Sequence, residues 1–221
     1  MSREETRVQI EAIGIIPAVR LFSTEDALFA AEAVCAAGIP IVEVTMTVPG
    51  AYKVIYELVR QNPDVIVGGG TLLDVHTAHR CLDCGAKFLT TTGLDLEIVD
   101  FAIKRDVAVF PGVLTPTEVM TGWKAGSDFV KIFPCAQVGG PSYIRALKGP
   151  FPHIRMIASG GVNQVTASEF ILSGASALGI GRDLIHQDAI RRRDDGWIRE
   201  LARRYTEMVR EAREQLRAPV A

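Results

Sequence analysis

The sequence predicts an α/β protein with a closed (β/α)8 TIM barrel, and three observations lead to this fold class. Eight short apolar segments alternate with longer amphipathic segments along the 221 residues. The apolar segments are nonpolar almost throughout, which is typical of parallel strands that are covered on both faces. Several amphipathic segments end in a glycine shortly before the next apolar segment, and glycine is the residue that most often ends a helix.

The predicted strands recur at about the length of one βα unit. They cover residues 15–19, 41–45, 65–68, 88–90, 107–110, 129–133, 155–158 and 177–180. Eight such units in a chain of this length favour a closed barrel over an open sheet. A flavodoxin-like or Rossmann sheet is the alternative, but no Gly-x-Gly-x-x-Gly motif follows the first strand.

The predicted helices are bounded by residues with known capping preferences. Ser23, Asp74, Thr115 and Asn163 stand where N-caps are expected, because their side-chain oxygens can accept hydrogen bonds from unpaired backbone N–H groups. We also predict an N-terminal helical extension and a long C-terminal helix over residues 197–216, whose charges form a solvated face. No linker divides the chain, so residues 1–221 are predicted to form a single barrel domain.

The composition argues against several classes of partner. The formal net charge is −2 and the sequence pI is about 6.1, so neither nucleic acid nor an anionic membrane is expected as a partner. Four cysteines in a chain of this length do not suggest a disulfide framework and indicate a reducing compartment. No apolar signal core follows the charged N-terminus and no run of about 18 apolar residues occurs, so we expect a soluble cytoplasmic protein.

Two charged residues, Glu43 and Lys131, lie within otherwise apolar strands near the C-terminal ends, where barrel enzymes carry their chemistry. A structural ion pair, or a lysine stem that reaches solvent, would explain them without catalysis. In the catalytic interpretation, a desolvated lysine is a neutral nucleophile that attacks a carbonyl and forms an iminium ion, and the carboxylate moves protons. We favour catalysis because perturbed ionisable groups concentrate at functional sites.

A second candidate site follows the last two predicted strands. Ser159, Gly160 and Gly161 follow the seventh strand, and Gly181 and Arg182 follow the eighth. Barrels frequently bind a phosphate here, where backbone N–H groups at a helix N-terminus face the anion. Either glycine pair alone would indicate only a tight turn. Two pairs at neighbouring strands, with an arginine that can add a charge-assisted contact, predict a phosphate site.

The sequence contains no strong metal or redox motif. Cys81 and Cys84 form one pair and His76 and His79 another, but neither pair has further ligands at a suitable spacing. We interpret the cysteines as structural and the histidines as surface residues toward the far end of a helix, away from the barrel mouth. We therefore expect no metal and no cofactor.

Seven stretches in chain order are similar to one known family. They cover residues 42–45, 69–71, 110–112, 129–134, 139–141, 147–152 and 159–162. The chain resembles the bacterial 2-keto-3-deoxy-6-phosphogluconate (KDPG) and 4-hydroxy-2-oxoglutarate (KHG) aldolases, class I enzymes on a (β/α)8 barrel that are usually homotrimers. The Lys-Ile-Phe-Pro stretch, together with the upstream Glu-Val-Thr, is the most specific part of this resemblance.

The resemblance implies a role for each candidate residue. Lys131 forms a Schiff base with a 2-oxo acid, and Glu43 shuttles protons. The substrate carboxylate is held by Arg20 and Thr71, the pyruvate pocket is lined by Phe133, and the phosphate is held by Ser159, Gly160, Gly161, Gly181 and Arg182. The sequence departs from the family at Arg182, where most members have serine, and at Thr47, where some members have an arginine.

The leading hypothesis is a Schiff-base aldolase that cleaves KDPG to pyruvate and glyceraldehyde 3-phosphate, with cleavage of KHG to pyruvate and glyoxylate as a further activity. Because Arg182 replaces the usual serine, the chemical identity of the anionic group at the far end of the substrate, phosphate or carboxylate, is not determined by the sequence. A 2-keto-3-deoxy-6-phosphogalactonate aldolase is one alternative. A phosphosugar isomerase or epimerase, with Glu43 as the base, is another, and a non-catalytic phosphosugar-binding barrel is the third.

Overall fold

The computed structural model describes residues 1–218 and contains nine parallel strands within them. The strands are β1 (Ile15–Val19), β2 (Ile41–Thr45), β3 (Ile66–Leu72), β4 (Phe88–Thr91), β5 (Ala108–Phe110), β6 (Gly112–Val113), β7 (Val130–Ile132), β8 (Met156–Ser159) and β9 (Ala177–Ile180). They form one sheet in the order β5-β4-β3-β2-β1-β9-β8-β7-β6.

Helices connect the strands and pack outside the sheet. They are α1 (Arg3–Ile13), α2 (Thr24–Ala36), α3 (Ala51–Gln61), α4 (Val75–Asp83), α5 (Leu96–Ile103), α6 (Pro116–Lys124), α7 (Pro141–Lys148), α8 (Ala167–Leu172), α9 (Gln187–Arg192) and α10 (Asp195–Arg217), with a short 3-10 helix at Ala136–Val138. The predicted (β/α)8 barrel, with helical segments at both ends of the chain, is confirmed. Within the described range, no helix is both long enough and apolar enough to span a membrane.

The barrel has eight positions around its circumference, which we call staves, and the fifth stave is made of two strands. Pro111 separates β5 from β6; β5 pairs with β4, and β6 pairs with β7. Proline has no N–H and interrupts a strand ladder. Two side chains replace the missing backbone partners: Thr91 accepts from the N–H of Gly112 at 3.0 Å, and Asp128 accepts from the N–H of Val109 at 3.0 Å. Eight predicted strands therefore became nine.

Three of the four predicted N-caps are confirmed. Ser23, Asp74 and Thr115 each accept a hydrogen bond from a backbone N–H in the first turn of α2, α4 and α6. The prediction of Asn163 as an N-cap is wrong, because α8 begins only at Ala167. The Asn163 side chain instead accepts from the N–H groups of Val165 and Thr166 and closes a turn ahead of the helix.

The terminal helices complete the core from two sides. Ile10 of α1 is fully buried, and Arg3 binds the Asp128 carboxylate, which precedes β7 at the N-terminal end of the barrel. α10 packs against α2 and α8 and buries Tyr205 completely. Its outward face carries ion pairs one turn apart, such as Arg210 with Glu207 and Glu214. This arrangement leaves the opposite, C-terminal end of the barrel to the candidate site.

Candidate active site

Lys131 and Glu43 form a buried ion pair inside the barrel, near the C-terminal ends of the strands. Lys131 lies on β7 and Glu43 on β2, and their relative exposures are only 7% and 3%. The Lys131 Nζ atom lies 3.4 Å from Glu43 Oε1 and 3.3 Å from Oε2. Both contacts are longer than the 2.7–2.9 Å usual for a charge-assisted hydrogen bond. The amine therefore lies near the carboxylate without a short hydrogen bond to it.

A third polar side chain, Thr90 on β4, completes this layer. Its Oγ1 atom lies 3.4 Å from Lys131 Nζ, and the residue is almost fully buried. Glu43, Thr90 and Lys131 come from staves two, four and six, and a (β/α)8 barrel fills each interior layer from alternate strands. The sequence placed Thr90 at a strand end but did not single it out, because this contact depends on how the closed barrel sets the strand register.

Gly70 makes room for the Glu43 carboxylate. A Cβ atom at this position would lie 2.3 Å from Glu43 Oε1 and 2.5 Å from its Cδ. Such distances are far inside van der Waals contact, so any side chain at position 70 would displace the carboxylate. Glycine is therefore required by close approach here, and the Gly69-Gly70 pair has a function beyond turn formation.

Thr71 occupies a left-handed backbone conformation that is uncommon for a β-branched residue, with φ of 60°. The register between β3 and β4 shifts between Gly69 and Leu72, as in a β-bulge. Bulges beside active sites redirect a side chain, and the Thr71 hydroxyl here accepts a hydrogen bond from Arg20 Nη2 at 3.1 Å. The structure thus brings together the two residues predicted to hold a substrate carboxylate.

A cavity of about 450 Å³ opens at the C-terminal ends of β1, β8 and β9. It is lined by Ala18, Arg20, Phe133, Gln137, Ser159, Gly160, Gly161, Val162, Gly179, Gly181, Arg182 and Asp183. All five residues of the predicted phosphate site and two of the three predicted carboxylate and pyruvate residues are among them. Gln137 and Asp183 were not predicted, since each lies several residues beyond a strand, Gln137 in the short 3-10 helix after β7 and Asp183 in the turn after β9, and the sequence does not reveal the path of these segments.

The two glycines after β8 adopt left-handed conformations, with φ of 85° at Gly160 and 87° at Gly161. A Cβ atom at Gly161 would lie 2.2 Å from that of Ala136. The expected helix N-terminus is not found at this point, since α8 begins six residues later. After Gly181 the chain makes a single helical turn, in which Leu184 and Ile185 donate to the Gly181 carbonyl. The cavity is therefore bordered by loop residues and short helical turns, and not by the N-terminus of α8.

The groups considered as metal ligands are spread over the surface and core. Over residues 1–218, no three His, Cys, Asp or Glu side chains cluster in a way that could hold a metal ion. His76 is exposed in the first turn of α4, which is the turn nearest the barrel mouth, so its predicted place at the far end of the helix is wrong. Cys81 is buried against Met46, and burial raises the pKa of its thiol to about 12. Cys135, close to Lys131 in sequence, also has its pKa raised to about 12 by burial.

The fold and site together define a (β/α)8-barrel enzyme in which an amine and a carboxylate share the barrel mouth with an arginine-lined cavity for an anion. The family described as KDPG and KHG aldolase matches residues 7–201. The chain therefore belongs to this aldolase family and is a carbon–carbon lyase. Family membership sets aside the hypotheses of an isomerase, an epimerase or a non-catalytic barrel.

Three relatives illustrate the match. The 2-dehydro-3-deoxy-phosphogluconate aldolase of Pseudomonas aeruginosa is 32% identical over 157 residues, covering 71% of each chain. The KHG/KDPG aldolase of Escherichia coli K12 is 30% identical over 194 residues, covering 87% of this chain and 91% of the relative. The KDPG aldolase of Legionella pneumophila, with pyruvate captured as a covalent carbinolamine, superposes with a TM-score of 0.83 at 31% identity, covering 90% and 96% of the two chains.

Proposed function

We propose that this enzyme is a class I aldolase that cleaves KDPG to pyruvate and glyceraldehyde 3-phosphate through a Schiff base on Lys131. One observation carries the proposal: the Lys131 amine is buried on stave six with the Glu43 carboxylate 3.3 Å away. The neutral form of this amine is a nucleophile for a carbonyl, and the adjacent carboxyl group can exchange protons with it. The named relatives support the choice of substrate.

The reaction begins when Lys131 passes a proton to Glu43 and its neutral Nζ attacks the C2 carbonyl carbon of the substrate. A proton moves from nitrogen to the former carbonyl oxygen and gives a carbinolamine. Glu43 in its protonated form donates to that hydroxyl, water leaves, and an iminium ion forms between C2 and Nζ. The ionised Glu43 carboxylate is then ready to act as a base, which is how one group serves in both directions of proton transfer.

Carbon–carbon cleavage follows from the electron demand of the iminium ion. Glu43 removes the proton of the C4 hydroxyl, the C3–C4 electron pair moves toward the iminium, and the aldehyde leaves. The remaining enamine takes a proton at C3 from Glu43. Glu43 then removes a proton from the water that adds to the resulting iminium, and collapse of the carbinolamine, with its hydroxyl proton passing to nitrogen, releases pyruvate and the free Lys131 amine. Each proton that Glu43 gains in one step is lost in another, so the enzyme returns to its starting state.

The remaining candidate residues bind the two charged ends of the substrate. Arg20 and Thr71, joined by their hydrogen bond, hold the carboxylate next to C2, and Phe133 covers the pyruvate portion. The distal phosphate is held in the cavity by Ser159, Gly160, Gly161, Gly181 and Arg182. A guanidinium is suited to this task because it offers two parallel donors to a phosphate or a carboxylate.

Arg182 also favours a second substrate. It is exposed at the rim of the cavity, where a bidentate contact to the distal carboxylate of KHG is chemically equivalent to one with phosphate. We propose KHG, cleaved to pyruvate and glyoxylate, as the second substrate. The galactonate epimer of KDPG carries the same phosphate and differs only in configuration, so it remains a third substrate to measure.

Pyruvate release from KDPG, KHG and the galactonate epimer, followed with a coupled dehydrogenase, tests these proposals. We expect KDPG to give the highest kcat/KM, and Arg182→Ser to lower kcat/KM for KDPG and KHG while leaving a measurable kcat. A matched control is Arg191→Ser, an exposed arginine on α9 outside the cavity. Absence of pyruvate from all three acids would contradict the proposed function. An unchanged rate in EDTA is expected for an enzyme without an essential metal.

We further propose that residues 1–221 form one catalytic domain that assembles as a homotrimer in the cytoplasm, within the Entner–Doudoroff route of sugar-acid breakdown. The family resemblance supports the trimer and the pathway, and the four free cysteines support a reducing compartment. Sedimentation equilibrium of the purified chain measures the trimer directly. A monomer at micromolar concentration would contradict that assignment without affecting the chemistry proposed for Lys131.

A further inference from the structure

The hydroxyl group of Thr90 is buried beside the amine of Lys131 and forms no hydrogen bond to the backbone within residues 1–218. Thr90 is 1% exposed, and the single hydrogen bond of its side chain within residues 1–218 is the 3.4 Å contact with Lys131 Nζ. Burying a hydroxyl is costly unless it is hydrogen-bonded. The hydrogen bond with Lys131 therefore compensates for the loss of hydrogen bonds to water when the hydroxyl is buried.

Strand formation and packing do not require an oxygen atom at this position. Valine has the same branched shape as threonine and is equally favourable in a strand. The neighbouring Thr91 is different, because its hydroxyl accepts from the N–H of Gly112 and donates to the carbonyl of Gly93. Thr91 thereby joins β4 to the broken fifth stave. Successive side chains on a strand point to opposite faces. Of the two threonines, therefore, Thr90 contacts Lys131 and Thr91 does not.

A hydroxyl suits a group that changes its charge during a reaction. Threonine has one proton to donate and two lone pairs that accept. It can accept a hydrogen bond from a protonated Lys131 and donate one to the neutral amine or to the oxygen of a carbinolamine. Glu43, once ionised, offers only acceptors and attracts the ammonium form. After Lys131 loses its proton, Thr90 can still donate a hydrogen bond to the amine, whereas ionised Glu43 cannot.

We propose that Thr90 is a positioning residue that holds the Lys131 amine in line for attack on the 2-oxo acid while the amine changes charge. This inference rests on the proposed Schiff-base function of Lys131. The hydroxyl donates to the lone pair of the neutral amine before attack and to the new C2 hydroxyl after it. Loss of the hydroxyl leaves the amine attracted toward Glu43 and slows carbinolamine formation more than it weakens pyruvate binding.

The test is the rate at which pyruvate and borohydride label Lys131 in the full-length protein, measured over a range of pyruvate concentrations. We expect Thr90→Val to lower the labelling rate at saturating pyruvate by on the order of tenfold or more, as small displacements of reacting groups do. The half-saturating pyruvate concentration should change far less. Thr90→Ser, which keeps the hydroxyl, should restore most of the rate.

Thr45→Val is the matched control. Thr45 is also a buried threonine at the end of a stave, but its hydroxyl binds the backbone carbonyl of Val19 at 3.1 Å and not Lys131. If Thr90→Val does not fold, as judged by circular dichroism, Thr90→Ala replaces it in the same comparison.

Two outcomes overturn the inference while the proposed function stands. One is wild-type labelling in Thr90→Val, and the other is an equal loss in the valine and serine variants, which would indicate packing alone. Absence of label on Lys131 in the wild-type protein would instead refute the proposed function itself.

Discussion

Two ion pairs with buried carboxylates lie at opposite ends of the barrel, and they are built differently. At the N-terminal end, Asp128 accepts from Arg3 Nε with both oxygens, at 3.0 and 2.9 Å, and from the N–H of Val109 at 3.0 Å. At the C-terminal end, the Lys131 amine reaches Glu43 and Thr90 only at 3.3–3.4 Å. Both carboxylates are buried, yet only Asp128 has short hydrogen bonds.

The difference teaches that burial alone does not identify a catalytic charge. Asp128 joins α1, the fifth stave and the loop before β7. The hydrogen bonds of its carboxylate therefore hold these elements together. Glu43 and Lys131 are nearly inaccessible to solvent and have no hydrogen bond shorter than 3.3 Å between side chains among the described residues, which leaves lone pairs and protons available for a substrate. A loosely bonded buried pair is costly for folding and is expected where function requires it.

The largest effect separating the two pairs should come from Glu43→Gln. If Glu43 moves the protons, this change should lower kcat for KDPG cleavage by about 10² to 10⁴-fold. The free energy of unfolding should change little, because glutamine has nearly the same shape and can still accept from Lys131. Steady-state kinetics and urea denaturation of the same preparation measure both quantities. A near-normal kcat would assign the proton transfers to another group.

A smaller loss of activity is expected from Gly70→Ala. Because a Cβ atom at position 70 would lie 2.3 Å from Glu43 Oε1, the carboxylate must move. Displacement of a catalytic group by about 1 Å can cost on the order of 10²-fold in rate. Gly93→Ala is the control, since a Cβ there meets no atom within 4 Å. Equal kcat values for the two variants would show that the position of Glu43 is not critical.

Asp128→Asn should show the opposite pattern. Asparagine keeps an oxygen for the N–H of Val109 but loses the charge-assisted contact with Arg3, so we expect a loss of about 1–3 kcal/mol in the free energy of unfolding. Activity of the folded variant should stay close to that of the wild type. Denaturant titration and kinetics below the unfolding range provide the comparison. A large loss of kcat with normal stability would contradict a purely structural role for Asp128.

The smallest effect concerns the pH dependence of the same pair. Burial raises the pKa of the Asp128 carboxyl above its ordinary 3.8, while Arg3 and the Val109 N–H oppose that rise. A raised pKa means that the folded state binds the proton more tightly, so this group contributes most stability at low pH and loses it as the pH rises through the folded pKa. The stability difference between wild type and Asp128→Asn should therefore be larger near pH 4 than at pH 7. A difference that shrinks on acidification would contradict this.

The sequence predicted those parts of the fold and site that depend on local pattern. Apolar segments gave the stave positions, and serine, aspartate and threonine gave three helix starts. Glu43 and Lys131 stood out because a charge within an apolar strand is rare. These features depend on neighbours in the chain, or on the general rule that barrels carry chemistry at the C-terminal ends of their strands.

The remaining features depend on contacts between distant parts of the chain. The division of the fifth stave at Pro111 relies on Thr91 and Asp128, whose side chains replace ladder hydrogen bonds from other staves. The Thr90 contact requires staves four and six to face each other across a closed barrel. The left-handed backbone conformation of Thr71 accompanies a β-bulge that no residue pattern predicts. None of these is encoded by periodicity, since each is set by the register of strands on either side.

The central claim is that Lys131 captures a 2-oxo acid, and one measurement tests it most directly. The protein is incubated with pyruvate, reduced with borohydride, digested and mapped by mass spectrometry, with Lys131→Met and the surface variant Lys53→Met treated in parallel. We predict reduced pyruvate on Lys131 in the wild type and in Lys53→Met, and none in Lys131→Met. Cleavage of KDPG by a wild-type protein that carries no label, or that carries it on another lysine, would contradict the account.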